Sequence, residues 1–82
     1  HAGRLEEAET MLTQAIDALT SVGAETIELA NCLMNRSVVR MQRHERDACT
    51  ADLRRAVAVY EAADAEEPLA EALHNLGYAA LL

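Results

Sequence analysis

An 82-residue chain allows one small domain, and three glycines with a single proline are too few for the turns of an all-β protein. A net charge of −7 speaks against a nucleic-acid partner, whose binding site would carry a basic footprint. The longest uninterrupted apolar runs are Ala56 to Tyr60 and Tyr78 to Leu82, far short of a membrane span.

With no Phe or Trp and only two Tyr, the core is built from Ala, Leu, Val, Met and Ile. Abundant alanine favours helices that pack closely, so the expected class is all-α. Hydrophobic periodicity predicts four helices in chain order. The first covers about 4–20, with Leu5, Ala8, Met11, Leu12, Ala15, Ile16 and Leu19 at helical spacing, and Gly23 follows as a natural stop. The second covers about 25–43, through Ile27, Ala30, Leu33, Met34, Val38 and Met41. The third, about 45–65, carries Cys49, Leu53, Ala56, Val57 and Tyr60. Pro68 opens the fourth, about 68–82, whose apolar stripe is Leu69, Ala72, Leu73 and Leu76. Cys32 and Cys49 lack metal-ligand spacing and read as small buried thiols, for which a reducing cytoplasm is expected; no signal peptide opens the chain.

The segments repeat in pairs. Aligning "EAETMLTQAI" (7–16) with "ACTADLRRAV" (48–57) puts Ala8, Leu12, Ala15 and Ile16 on Cys49, Leu53, Ala56 and Val57, an offset of 41. Aligning "LANCLMNRSVV" (29–39) with "LAEALHNLGYA" (69–79) repeats Leu, Ala, Leu and Asn in place, an offset of 40. "GRLEEAETMLTQAI" resembles the second helix, B, of a tetratricopeptide repeat (TPR), and "ALHNLGYAALL" resembles its first helix, A. Small residues such as Ala8, Cys49, Ser37 and Gly77 let paired helices approach, and Leu12 and Leu53 fill the space beyond. The period is longer than the usual one and is similar to the extended TPRs of kinesin light chain and of bacterial regulators. HEAT and armadillo repeats share the period but not the Gly-Arg-Leu-Glu-Glu-Ala pattern. The resemblance implies a TPR-like antiparallel helix-pair solenoid in the order B-A-B-A, a segment of a longer array.

No constellation points to catalysis. His1, His44 and His74 are not spaced with carboxylates as metal ligands would be, and Glu6–Glu7 and Glu66–Glu67 read as helix-start chemistry. No phosphate loop, nucleophile elbow or zinc spacing occurs. The expectation is a non-enzyme with no cofactor and no metal.

The resemblance implies instead a concave face made by the A helices, on which a peptide or partner helix lies. It carries Asn31, Met34, Asn35, Val38, Met41 and Gln42 from one repeat, and Glu71, His74, Asn75, Tyr78, Leu81 and Leu82 from the next. Asn35 and Asn75 fall on the family's recurrent groove asparagine, whose amide both donates and accepts. "NRS" at 35–37 resembles part of the carboxylate clamp of TPR co-chaperones, but Glu71 and Asn75 stand where that clamp needs cations. Arg36, Arg40 and Arg43 form a stripe that a helical wheel places opposite Ala30, Met34, Val38 and Met41. They are expected to pair with acids of adjacent helices; the alternative is a patch for an acidic partner. The expected function is non-catalytic protein–protein interaction, with a sensor or spacer module of a larger regulator as an alternative. A further alternative is self-association through Leu5, Met11, Leu76, Leu81 and Leu82, because "NLGYAALL" followed by "HAGRLEEAETML" reads as a nearly unbroken repeat unit.

Overall fold

The computed structural model describes residues 2–23 and 25–81. It contains four α-helices, α1 (Ala2–Ser21), α2 (Ile27–Gln42), α3 (Arg46–Ala62) and α4 (Glu66–Ala79), and no strand among the described residues. The all-α expectation holds. Each helix packs against its neighbours in sequence, α1 on α2, α2 on α3 and α3 on α4, as successive helical hairpins. A helix with its side chains is about 10 Å across, so the smallest extent of 17 Å makes the molecule two helices thick.

Local chemistry sets the helix ends. The Thr26 hydroxyl accepts a hydrogen bond from the Leu29 N–H at 3.2 Å, which caps α2 and starts it at Ile27 rather than Glu25. α2 and α3 close alike. His44 (φ 62) and Asp64 (φ 55) adopt left-handed conformations that Asp and His tolerate better than most residues. The Glu45 and Ala65 N–H groups then reach back to the Arg40 and Tyr60 carbonyls at 2.8 and 3.0 Å. This turn stops α3 at Ala62, short of the expected Ala65. Gly23 (φ 75) stands one repeat offset before Asp64 and follows α1. Two expectations are corrected at helix starts. α4 opens at Glu66, so Pro68 is its third residue, still inside the first turn where a missing N–H breaks no helical hydrogen bond. α1 opens at Ala2, so Glu6 and Glu7 lie beyond its first turn.

The core lies along α2 and α3. Leu29, Leu33, Leu53, Ala56, Cys49 and Tyr60 are buried there, and each large apolar side chain removed from water contributes about 1.5–3 kcal/mol. α1 contributes Ile16, and α4 contributes Ala72 and Ala79, with Leu69 and Leu76 packed alongside. Leu73, expected in the α4 stripe, is half exposed, because α3 covers only one side of α4. Both thiols are free; Cys49 is buried and Cys32 half-buried. Burial raises the Cys49 thiol, with the Asp52 charge adding to it, which keeps the group protonated.

The α2 arginines pair with acids of the adjacent helices, as expected. Arg36 and Arg40 continue the inward line of Leu29 and Leu33 at helical spacing and are largely buried between α1 and α3. Arg36 grips the buried Asp52 of α3 through two hydrogen bonds, Nε to Oδ2 at 2.9 Å and Nη2 to Oδ1 at 2.7 Å. Its Nη1 donates to the Thr13 hydroxyl of α1 at 3.2 Å. Arg40 donates to both Asp52 oxygens at 3.2 Å and to Glu9 of α1 at 3.0 Å, while Arg43 donates to Glu9 at 2.6 Å. Among the described residues no buried polar side-chain atom is left without a partner. The Asp52 hydrogen bond, acting against burial, raises the Arg36 pKa, so its charge is permanent. Burial works to raise the Glu9 carboxyl, but the hydrogen bonds and charges of Arg40 and Arg43 outweigh it and lower the group overall.

Removing Asp52 leaves the largely buried Arg36 without an anion and Arg40 with Glu9 alone. Asp52→Ala is therefore expected to lose about 3 kcal/mol of stability in urea titration. Glu9 gives a weaker, pH-dependent contribution. Its folded pKa is depressed, so its stabilisation is present above the ordinary value of 4.5 and is lost as pH falls through the lower folded value. Glu9→Gln should destabilise by about 1 kcal/mol at neutral pH, and thermal unfolding should show the difference from wild type shrinking as the solution is acidified below that ordinary value.

Candidate partner-binding groove

An open hollow of about 320 Å³ lies between α2 and α4 and is floored by α3. Asn31, Met34 and Asn35 form its α2 wall, Pro68 and Glu71 its α4 wall, and Tyr60 its floor. One turn of helix separates Asn31 from Asn35, so both amides project on the same side of α2. Pro68 and Glu71 are likewise neighbours at i, i+3 on the first turns of α4.

Tyr60 fixes one end of this arrangement. Its ring is buried in the core, and its hydroxyl donates to the Asn31 Oδ1 at 2.6 Å, joining α3 to α2. Burial raises the Tyr60 pKa, with the Glu71 charge and Cys32 adding to it, so the phenol keeps the proton it donates. With its carbonyl oxygen engaged, Asn31 presents its NH₂ to the hollow. Asn35 is exposed and offers both a donor and an acceptor. Glu71 is exposed and, among the described residues, is the one charged side chain lining the hollow.

Of the residues expected to bind a partner, the structure brings Asn31, Met34, Asn35 and Glu71 together. Met34 lines the hollow and is at the same time largely buried in the core, so it offers the hollow only an edge. Val38, Gln42, His74 and Tyr78 are exposed and Asn75 is half-buried, and none of them lines the hollow. They continue the two walls at helical spacing toward the C-terminal ends of α2 and α4. Met41 is half-buried against the core. Tyr60 and Pro68 were read from sequence as a core residue and a helix opener, and their place in the groove was missed. A buried tyrosine hydroxyl needs a hydrogen-bond partner, and that requirement was the available signal.

The residues proposed for self-association also separate. Met11 and Leu81 are strongly exposed, Leu5 is half-buried, and Leu76 is packed against the core, so Leu76 is only partly available. Leu82 lies outside the described residues.

A second hollow, between α1 and α2, is lined by Glu6, Glu9, Thr10, Thr13, Gln14 and Arg43; its cation is already tied to Glu9. Among the described residues no three His, Cys, Asp or Glu side chains are placed to hold a metal ion, and no helix is long and apolar enough to cross a membrane. No family model, curated protein or solved structure matches the chain.

Proposed function

We propose that the chain is a TPR-like solenoid segment that acts as a non-catalytic protein-interaction scaffold, holding an extended peptide across the hollow between α2 and α4. The observation that carries this reading is the pairing of two amide side chains, Asn31 and Asn35, with Glu71 across an open groove between helices one repeat offset apart. Side-chain amides suit a peptide backbone, which supplies both N–H donors and carbonyl acceptors. The forty-residue internal repeat and the succession of helical hairpins support the solenoid part of the reading.

The groove also favours one chemical type of peptide. Glu71 is its charged lining residue, and no arginine borders it. Arg36, Arg40 and Arg43, which sequence alone left open as an acidic-partner patch, are engaged with Asp52 and Glu9 elsewhere. A peptide with a lysine or arginine opposite Glu71 therefore fits better than an acidic one.

A peptide-library screen tests this directly, with circular dichroism to check that each variant is folded. The wild-type chain is expected to select sequences with a basic residue at one fixed position. Asn35→Ala should weaken the selected peptide about tenfold, equivalent to the loss of one or two hydrogen bonds, and Glu71→Gln should remove the preference for the basic residue. Identical profiles for wild type and both variants would refute the groove as the binding site.

A further inference from the structure

The internal repeat provides a built example of a junction that the chain's outer helices leave open. In the inner junction α2 lies against α3. Shifting its positions by the two repeat offsets maps α2 onto α4 and α3 onto α1. Leu33, fully buried, corresponds to Leu73, which is 49% exposed. The buried Ser37 corresponds to Gly77, where an added Cβ would meet nothing within 4 Å. Met41, half-buried, corresponds to Leu81, 83% exposed. On the opposing side Asp52, 3% exposed, corresponds to Met11, 63% exposed. A hollow of about 320 Å³ beside Met11 is lined by Arg4, Glu7 and Ala8, and Ala8 is the counterpart of the buried Cys49.

The charges at these positions change together. The inner junction is locked by Arg36 and Arg40 of α2 on Asp52 of α3. Their outer counterparts are Leu76 and Ala80 after α4's third turn, and Met11 on α1. Had the cations alone been kept, α4 would carry two arginines with no carboxylate to receive them. Had the anion alone been kept, α1 would carry a carboxylate to be buried without a cation, at a cost of several kcal/mol. Instead neither side carries a charge at these positions: Leu76 packs against the core of its own chain, and Leu73 and Leu81 on the α4 side and Met11 on α1 are left exposed, so apolar can meet apolar where the inner junction pairs cation with anion.

We infer that the outer face of α4, centred on Leu73 and Gly77, binds the outer face of α1, centred on Met11, of a second copy of this chain, in the geometry of the α2–α3 junction. The contact is heterologous: each copy uses one face as donor of α4 and another as donor of α1, and association therefore proceeds head to tail. This surface is separate from the groove between α2 and α4, and the inference does not depend on peptide binding there.

Multi-angle light scattering on the 82-residue chain across a concentration series is the test, with Leu73→Asp and Met11→Asp as variants. Both positions are well exposed in the single chain, so each variant is expected to remain helical by circular dichroism. The wild type should rise with concentration above the single-chain mass of 8.9 kDa. Each variant alone should stay at that mass, because every junction it forms contains one charged face. An equimolar mixture should form a heterodimer and stop there, since Met11→Asp supplies an intact α4 face and Leu73→Asp an intact α1 face. Three results overturn the inference: a wild type that stays monomeric throughout, a Met11→Asp variant that associates like wild type, or a mixture that stays monomeric.

Discussion

The carboxylate of Asp52 sits buried between the guanidinium groups of Arg36 and Arg40, and the same two arginines reach Thr13 and Glu9 on α1. One anion on α3 thus orders two cations on α2, which in turn hold α1. Among the described residues no comparable tie joins α3 to α4: the residues one repeat offset away from Arg36 and Arg40 are Leu76 and Ala80. The first three helices are therefore fixed by directional, charge-assisted hydrogen bonds in addition to apolar packing, whereas α4 rests on packing by Leu69, Ala72, Leu76 and Ala79. Such a lock is costly to break from one side, because the desolvated partner remains, but it is not the one way to fill the space.

This division bears on the proposed groove. Its α2 wall is anchored by the Tyr60–Asn31 hydrogen bond to the core, and its α4 wall, Pro68 and Glu71, is set by the hydrogen-bonded turn at Ala65 and by apolar packing on α3. A peptide lying across the hollow would bridge a directionally fixed wall and one held by that turn and packing, so binding would add a polar tie between helices that have none. The outer faces of α1 and α4 have a different character: exposed apolar side chains and small residues at their centres, Met11 and Ala8 on α1 and Leu73 and Gly77 on α4, with Arg4 and Glu7 beside Met11.

Much of this was legible in the sequence, and the failures have physical causes. Helix class and order follow from periodicity and from alanine content, and the two offsets are visible without coordinates. Cap geometry moved the boundaries. Thr26 was not recognised as the cap of α2, and Asp64 was not recognised as a left-handed stop because it lacks the glycine that marks Gly23. The arginine stripe was expected to pair with acids of adjacent helices, and it does, but the partners could not be named. Burial of Arg36 and Arg40 depends on Asp52, 16 and 12 residues further on, which local spacing does not reveal. Met34 was placed on the partner face by motif position; it lines the hollow, and its share of the core was not legible from that position. Leu73 was placed in the apolar stripe of α4 by periodicity; it repeats the residue type of the buried Leu33, but the neighbour that would cover it is not repeated among the described residues.

The central claim is that the inner and outer junctions are equivalent places filled by two self-consistent sets of side chains. It is tested most directly by moving the outer set inward, in the triple variant Arg36→Leu, Arg40→Ala, Asp52→Met, and measuring its unfolding free energy by urea titration. Equivalence predicts cooperative unfolding with stability within about 1 kcal/mol of wild type, above that of a chain lacking only the carboxylate, because no unpaired charge is left behind. A triple variant as unstable as the single removal, or less stable, would contradict it.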